Sequence, residues 1–397
     1  MSVREQPTKV KMAIGIDNFR EMREKQNYYV DKTRLIAEYL TAGDKVTLLT
    51  RPRRFGKTLN MSMLAEFFDI TKDSSDIFEG TEIMETKWAD KMNQYPVIAL
   101  SFANARGENA QFLLNQLSGE VRKEYMRYEF LWNEKKLPEA MCRELQRIYD
   151  CMWSWEKKDG FDYLSLSLTG LCTALEWYYG KGVKVFIDEY DTPVMQALIS
   201  GFYQEIRPVF SVMLGSLLKG NASFESAFLT GIQRVAKENI FSGLNNLAVC
   251  TVNSPEYADC FGFTEQETRE LLDACGLKLD ERVRKMYDGY RFGEFHIYNP
   301  WSITNYARRK RMEPFWVNTS ENSLIRSAMK EIEEQFRPGY ETLIESGTYR
   351  TEVKMDSSYY EVRDVETLWG MLLSAGMLTA EEVSEDGICT LRVPNRE

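Results

Sequence analysis

The residues best suited to bind a phosphate chain form one short run, Arg51-Pro-Arg-Arg-Phe-Gly-Lys-Thr58. Its second half matches the end of the nucleotide-loop pattern G-x-x-x-x-G-K-[ST]. Gly56 lets the backbone approach phosphate oxygens, Lys57 places an ammonium beside the β- and γ-phosphates, and Thr58 offers a hydroxyl to magnesium. These residue types at these spacings predict a loop that binds a nucleoside triphosphate.

The first half of the same run departs from that pattern. Arg51 occupies the position of the first glycine, and Arg53 and Arg54 add positive charge. A chance Gly-Lys-Thr at a helix start is the competing explanation, but the apolar run 46–50 immediately upstream predicts the strand that such a loop requires. The expected nucleotide contacts in this part of the chain are Arg51, Arg53, Arg54, Phe55, Gly56, Lys57, Thr58 and Leu59.

A second run carries acidic chemistry. Val183-Lys-Val-Phe-Ile-Asp-Glu189 is an apolar strand that ends in two carboxylates. We expect Asp188, together with Thr58, to hold Mg2+ at the carboxyl end of the sheet, and Glu189 to polarise the water that attacks the γ-phosphate. Strands often end in acidic residues for structural reasons, but this pair follows the phosphate loop by about 130 residues, which favours the catalytic interpretation.

A third run, Phe228-Leu-Thr-Gly-Ile-Gln-Arg234, adds polar groups at another predicted strand end. This strand would emerge beside the acidic one, where Thr230 or Gln233 would sense the γ-phosphate and Arg234 would neutralise charge in the transition state. The alternative is that Arg234 is a surface residue paired with an acid. Residues 190–192 extend the acidic strand end without an assigned role. The expected catalytic residues are Lys57, Glu189 and Arg234.

Short apolar runs alternate with helical patterns along the first two thirds of the chain. The predicted strands are 46–50, 97–102, 183–188, 227–231 and 248–252. Such alternation predicts an α/β fold, with a mainly parallel sheet covered by helices on both faces. Because the pattern changes near Cys260, we expect one domain at 1–260, with a helical insertion at about 105–180. A mainly helical, winged-helix-like lid is expected at 261–397.

Composition excludes several classes of protein. The chain of 397 residues carries a net charge of -10, which disfavours nucleic-acid binding over the whole surface but leaves a local basic groove open. Its seven cysteines form no C-x-x-C, and its single histidine, His296, cannot build a multi-histidine metal site. Neither a signal peptide nor a run of 18 apolar residues is present, so we expect a cytoplasmic protein without a membrane segment.

Nine short segments spread along nearly the whole chain resemble one family. They are Gly15-Ile-Asp-Asn-Phe19, Tyr28-Tyr-Val-Asp-Lys-Thr33, Arg51-Pro-Arg-Arg-Phe-Gly-Lys-Thr58, Ile187-Asp-Glu-Tyr-Asp-Thr-Pro193, Leu229-Thr-Gly-Ile232, Tyr287-Asp-Gly-Tyr290, Tyr298-Asn-Pro-Trp-Ser302, Trp316-Val-Asn-Thr-Ser320 and Leu391-Arg-Val-Pro-Asn395. Together they resemble the bacterial AAA-ATPase-like family, also described as the predicted ATPase of the DUF1703 type. The loop at 51–58 is the most specific of them.

The resemblance implies a P-loop NTPase fold with ATP and Mg2+ as ligands. It implies that Arg51 is a family trait and that Tyr29 and Asp31 line the nucleotide-base pocket. Members often continue into a C-terminal restriction-endonuclease-like nuclease domain. Glu352-Val-Lys354 has the E-x-K shape of such a domain but lies upstream of the expected position, so we expect no nuclease domain in this chain.

These runs together predict an ATP-binding protein that hydrolyses ATP to drive a conformational switch. Two alternatives stay open: a nucleotide-gated interaction module with little turnover, and a kinase for a small molecule. The aromatic stretch 287–320 and the basic run 308–311 are compatible with nucleic acid, although a packed lid with a solvated helix end is the simpler explanation. Oligomerisation stays open as well, because no arginine can be singled out as acting on a second copy.

Overall fold

The computed structural model describes residues 10–152, 160–234, 246–316, 323–355, 364–384 and 386–397. Up to residue 250, strands alternate with helices. The strands are β1 (Val46–Thr50), β2 (Val97–Ser101), β3 (Val183–Asp188), β4 (Phe224–Gly231) and β5 (Leu247–Cys250). The helices are α1 (Phe19–Glu24), α2 (Arg34–Ala42), α3 (Lys57–Phe68), α4 (Ser75–Phe78), α5 (Ala110–Arg127), α6 (Phe130–Asn133), α7 (Glu139–Cys151), α8 (Gly160–Tyr179), α9 (Thr192–Ser200) and α10 (Tyr203–Leu218), with 3-10 turns at Glu82–Glu85 and Lys87–Lys91.

The five strands form one parallel sheet in the order β2-β3-β4-β1-β5. Strand β4 therefore lies between β1 and β3, although it follows both in the chain. Because the carboxyl ends of parallel strands lie at one edge of a sheet, the 51–58 run, the 188–189 pair and the end of β4 become neighbours there.

Helices cover both faces of this sheet because the side chains of each strand alternate between two apolar clusters. On one face, Leu48 and Val185 pack with residues of α5, α7, α8 and α10. On the other face, Leu49 and Phe186 pack with residues of α2 and α3. Every residue of β1 and β3 is buried, as expected for central parallel strands.

Beyond residue 260 the chain forms helices and two small antiparallel sheets. The helices are α11 (Glu265–Ala274), α12 (Glu281–Tyr287), α13 (Pro300–Arg309), α14 (Ser323–Glu331), α15 (Glu333–Ser346) and α16 (Val365–Ser374). The strands are β6 (Phe263–Thr264), β7 (Tyr290–Phe292), β8 (Phe295–Tyr298), β9 (Tyr349–Glu352), β10 (Thr379–Val383) and β11 (Ile388–Arg392). The sheet orders are β6-β8-β7 and β10-β11-β9.

The predicted α/β fold with a parallel sheet is confirmed. The bounds of β1 and β3 agree with the sequence prediction, whereas β4 begins three residues earlier and β5 ends two residues earlier. No strand is predicted beyond residue 252, because short strands such as β9 and β10 contain several polar residues and lack the apolar run that identifies the strands of the parallel sheet. Among the described residues, no helix is both long and apolar enough to cross a membrane.

Candidate functional site

The 51–58 run connects the end of β1 to the start of α3. Gly56 is the N-cap of α3 and has a φ of 83°, in the left-handed region that favours glycine. Arg54 also has a positive φ, 72°, which is uncommon for a residue with a side chain. The first turn of α3 presents backbone N–H groups that have no acceptor within the helix, an arrangement that suits an anion.

The Lys57 side chain is folded back onto this loop. Its Nζ donates to the carbonyl oxygens of Arg51 at 2.9 Å and Pro52 at 2.8 Å, and the residue is 7% exposed. Burial lowers the pKa of Lys57, against the opposing effect of the Asp188 and Glu189 carboxylates. The ammonium is thus held next to the loop by carbonyl acceptors that an incoming anion can replace.

Asp188 is the centre of a cluster of one carboxylate and two hydroxyls, in which Asp188 and Thr230 are buried and Thr58 is partly buried. Thr58 Oγ1 donates to Asp188 Oδ2 at 2.7 Å, and Thr230 Oγ1 donates to Asp188 Oδ1 at 2.5 Å. Burial raises the pKa of Asp188, although both hydroxyls and Lys57 act to lower it. The sheet order explains the cluster, because β4, which ends near Thr230, lies between β3 and β1, the strand whose loop leads to Thr58. Carboxylate and hydroxyl oxygens are suitable ligands for a hard cation such as Mg2+.

Glu189 follows directly in a strained turn. Its φ of 51° is in the left-handed region, which costs energy for a non-glycine residue and occurs preferentially at functional sites. The residue lines the cavity described below. One carboxylate oxygen, Oε2, accepts a hydrogen bond from Thr192 Oγ1 at 3.0 Å, so the first residue of α9 fixes the direction of the side chain.

The next two residues join the ends of β3 and β4, a role that the sequence does not reveal. The Asp191 carboxylate accepts hydrogen bonds from the backbone N–H groups of Ile232 at 2.9 Å and Gln233 at 3.0 Å. The Tyr190 hydroxyl donates to the carbonyl oxygen of Gln233 at 2.7 Å. A Cβ atom at Gly231 would lie 2.7 Å from the Tyr190 ring and 2.8 Å from the Asp191 carboxylate, so this junction requires glycine.

A cavity of about 560 Å³ opens in front of the loop, within the usual size range of small-molecule sites. Its wall combines cationic residues of the loop with apolar and aromatic residues from the N-terminal segment 12–17 and from the C-terminal part of the chain. The expected site residues on this wall are Tyr29, Arg53, Arg54, Phe55, Gly56, Lys57, Thr58, Leu59 and Glu189. Asp188 lies directly behind the wall, bonded to Thr58.

Two expected nucleotide contacts are not on this wall. The Arg51 side chain is fully buried, and its guanidinium donates to backbone carbonyl oxygens. The Asp31 carboxylate accepts from the backbone N–H groups of Thr33 and Glu82, both at 2.8 Å. Both side chains therefore stabilise backbone segments. The sequence could not show this, because the Thr251 carbonyl bonded to Arg51 and the Glu82 N–H bonded to Asp31 are remote in the chain.

Arg234, the expected neutraliser of transition-state charge, is partly buried just after β4. It is not among the residues that line the cavity. The segment 235–245 that follows lies outside the described residues, so the catalytic role of Arg234 stays a prediction.

Several residues of the cavity wall were missed by the sequence patterns. Arg106 comes from the loop after β2, and that loop is tied to β3 because Phe102 N donates to the carbonyl oxygen of Asp188 at 2.9 Å. Trp301, at the start of α13, places its ring 4.4 Å from the Arg54 guanidinium. Nothing in the sequence distinguishes Arg106 from the other 49 basic residues, because only the sheet order brings it to the site.

Two other runs considered in the sequence lie on the surface and do not line the cavity. Residues 308–311 are exposed at the end of α13, where Arg309 is 4.0 Å from a Glu313 carboxylate oxygen. Lys354, from the E-x-K run, forms an ion pair with Asp364 at 3.1 Å. Arg309 and Lys354 thus each have an acidic neighbour, as is usual on a solvated surface.

Comparisons with known proteins agree with the motifs. A family model described as "Predicted AAA-ATPase" matches residues 13–241, more than half of the chain. A protein of Azotobacter chroococcum mcd 1, named "Uncharacterized protein in vnfD 5'region", is 28% identical over 394 residues, which cover 98% of this chain and 68% of that relative. The matched region contains the 51–58 loop, all of β3 and the Thr230 end of β4. The chain therefore belongs to the predicted AAA-ATPase family.

Proposed function

We propose that this chain binds ATP with Mg2+ in the cavity beside the 51–58 loop and hydrolyses the γ-phosphate to drive a conformational switch. The observation that carries the proposal is the hydrogen-bonded cluster of Thr58, Asp188 and Thr230, with Lys57 next to it and Glu189 following Asp188 on the cavity wall. An α/β sheet with this cluster at its carboxyl edge supports a P-loop arrangement.

Binding would use the groups that the loop already presents. Lys57 would exchange two backbone carbonyls for β- and γ-phosphate oxygens, and Arg53 and Arg54 would add positive charge from the same wall. Thr58 and Asp188 would hold Mg2+ through a hydroxyl and a carboxylate oxygen, the ligand type that this ion prefers. The ion would supply charge neutralisation on the phosphates.

Hydrolysis would use Glu189. Its carboxylate would accept a hydrogen bond from a water and orient it in line with the γ-phosphorus, whose bond to the β–γ bridging oxygen breaks as the water oxygen attacks. The hydrogen bond from Thr192 would keep the carboxylate directed into the cavity. The products are ADP and inorganic phosphate, and no acceptor other than water is needed.

The C-terminal part would respond to the nucleotide, because it contributes to the same wall. The cavity wall beside the loop includes Phe263, Pro300 and Trp301. This shared wall supports a lid at 261–397, with a boundary near residue 260. The order β6-α11-α12-β7-β8, with a β6-β8-β7 sheet, supports the winged-helix-like character of this part.

Phosphate release from ATP by wild type and Glu189→Gln tests this proposal. We expect the wild type to release phosphate without an added acceptor, and the variant to do so at least about 100-fold more slowly with unchanged ATP affinity, because it lacks the general base. Glu139→Gln, an exposed change on α7, is the matched control and should behave as wild type. Tight binding with negligible wild-type turnover would indicate a switch module instead, and turnover that depends on an acceptor would indicate a kinase.

A further inference from the structure

The buried guanidinium of Arg51 connects the end of β1 to one stretch of backbone, residues 250–257, that lies about 200 residues later in the chain. All five of its hydrogen-bond acceptors are carbonyl oxygens at the ends of β1 and β5 and in the turn that follows. They are Thr50 at 2.9 Å, Cys250 at 3.4 Å, Thr251 at 2.6 Å, and Glu256 and Tyr257 at 3.3 Å each. These contacts leave the side chain directed into the protein, away from the cavity.

Two aromatic rings complete the surroundings of this guanidinium. The Arg51 Cζ atom lies 5.0 Å from the centroid of the Phe292 ring in β7 and 5.9 Å from that of Phe261. Burial lowers the pKa of Arg51 to about 10, so the side chain stays charged at neutral pH. Carbonyl oxygens accept from both terminal nitrogens of this guanidinium and ring faces lie beside it, while its Nε has no hydrogen-bond partner and no acidic group lies within hydrogen-bond distance among the described residues.

Two further side chains of the loop reach into the C-terminal part. The Phe55 ring packs against Tyr290 and Phe292 of β7, with centroids 4.9 and 5.1 Å apart. Pro52 lies so close to Gly376 that a Cβ atom there would be 2.8 Å from the proline ring. The phosphate-binding side of the loop faces the cavity, while its other side forms part of the C-terminal core.

We infer that Arg51 is a positioning residue, which holds the 51–58 loop to the end of β5 and to β7, so that ordering of the loop by a nucleotide is passed to the β7–β8 hairpin. The inference rests on the proposed ATP binding. It explains why an arginine replaces the first glycine of the general pattern: glycine at 51 would leave five carbonyls, three of them in buried contacts, without this donor and would leave a cavity beside Phe292.

Arg51→Lys tests the inference through two measurements on the full chain, ATP affinity by calorimetry and hydrogen exchange of residues 289–298 with and without Mg-ATP. In wild type, ATP should slow exchange in the hairpin. Lysine keeps the charge but cannot reach the five acceptors, so the Kd for ATP should rise about tenfold, or about 1.4 kcal/mol. The protection of the hairpin should be lost. The kcat at saturating ATP should change less than about threefold, because Glu189 and the Asp188 cluster have no hydrogen bond to the Arg51 side chain.

A pair of changes outside the loop separates positioning from a general loss of stability. Phe292→Leu removes the ring against Arg51 and Phe55, and should reproduce both the weaker ATP binding and the lost protection. Phe295→Leu is the matched control, because Phe295 pairs with Phe292 across the hairpin but is 43% exposed. It should leave both measurements at wild-type values.

The possible outcomes are distinct. If wild type binds no ATP, the proposed function fails and the inference fails with it. If wild type binds ATP, but Arg51→Lys and Phe292→Leu keep its affinity and hairpin protection, the positioning role alone is overturned. An Arg51→Gly variant that binds ATP more tightly would also overturn it. Should the Arg51 variants fail to fold, the comparison of Phe292→Leu with Phe295→Leu decides.

Discussion

Side chains from three separate strand ends meet at Asp188, which ends β3: Thr58 Oγ1 comes from the helix after β1, and Thr230 Oγ1 comes from the end of β4. Lys57 and Thr58 follow one apolar run and Asp188 ends another, so their meeting at one edge of a parallel sheet could be predicted. The role of Asp191 could not, because its partners are backbone N–H groups after β4, 41 and 42 residues away. Contacts to backbone leave no pattern in side-chain types.

Arg106 gives a prediction at the same scale. Its side chain lines the cavity together with Glu189, and its loop is held to the carbonyl oxygen of Asp188. We expect Arg106 to contact the γ-phosphate end of the nucleotide, so Arg106→Ala should weaken binding of a non-hydrolysable ATP analogue about tenfold while ADP affinity stays unchanged. Calorimetry with both nucleotides measures this ratio.

The control for Arg106 is Arg143→Ala. Arg143 is 70% exposed on α7 and forms a surface pair with Glu139, so its loss should change neither affinity. Equal weakening of ATP-analogue and ADP binding by Arg106→Ala would place this arginine elsewhere on the nucleotide, and no weakening would remove it from the site.

Strand β3 contains a buried lysine, which is unusual in a strand with so clear an apolar pattern. The run 183–188 reads as a buried strand and is one, yet its second residue is a lysine that is only 4% exposed. Lys184 Nζ donates to Ser226 Oγ at 2.9 Å and lies within 5.1 Å of three ring centroids, those of Tyr39, Phe68 and Tyr95. The strand could be predicted from its apolar residues. The three rings around Lys184 could not, because they come from other elements.

The buried Lys184 predicts a specific pH dependence of stability. Loss of hydration outweighs the opposing effect of the Glu225 carboxylate and lowers the pKa of Lys184 to about 8, against 10.5 for the ordinary side chain. The unfolded chain therefore binds more protons than the folded chain between about pH 8 and 10.5, so this residue makes the free energy of unfolding rise with pH in that window. We expect the difference between wild type and Lys184→Met to change by about 2 kcal/mol from pH 7.5 to 10.

Urea unfolding at several pH values measures this difference. Lys123→Met, a change at a lysine that is 69% exposed on α5, should show no such change with pH relative to wild type. If the Lys184→Met difference is constant across the window, the folded-state pKa of Lys184 is ordinary, which would contradict the lowered pKa.

At the scale of the whole molecule, the parallel sheet and the C-terminal part are joined through the 51–58 loop. Phe55 belongs to the core of the C-terminal part, and Lys32 from the N-terminal segment forms an ion pair with Glu267 of α11 at 2.7 Å. The sequence predicted the sheet and a change of character near residue 260. It could not predict that both parts share one cavity wall, because that depends on packing between elements more than 200 residues apart.

ATP binding to wild type and Lys57→Ala, measured by calorimetry in the presence of Mg2+, tests the central claim most directly. Lys57 is the buried lysine of the loop, and alanine removes the ammonium that would meet the β- and γ-phosphates. Lys123→Ala on the exposed face of α5 should bind ATP as wild type does. We predict saturable binding by wild type and no detectable binding by Lys57→Ala. Equal affinity of the two proteins for ATP would contradict the assignment of the 51–58 loop as the phosphate site.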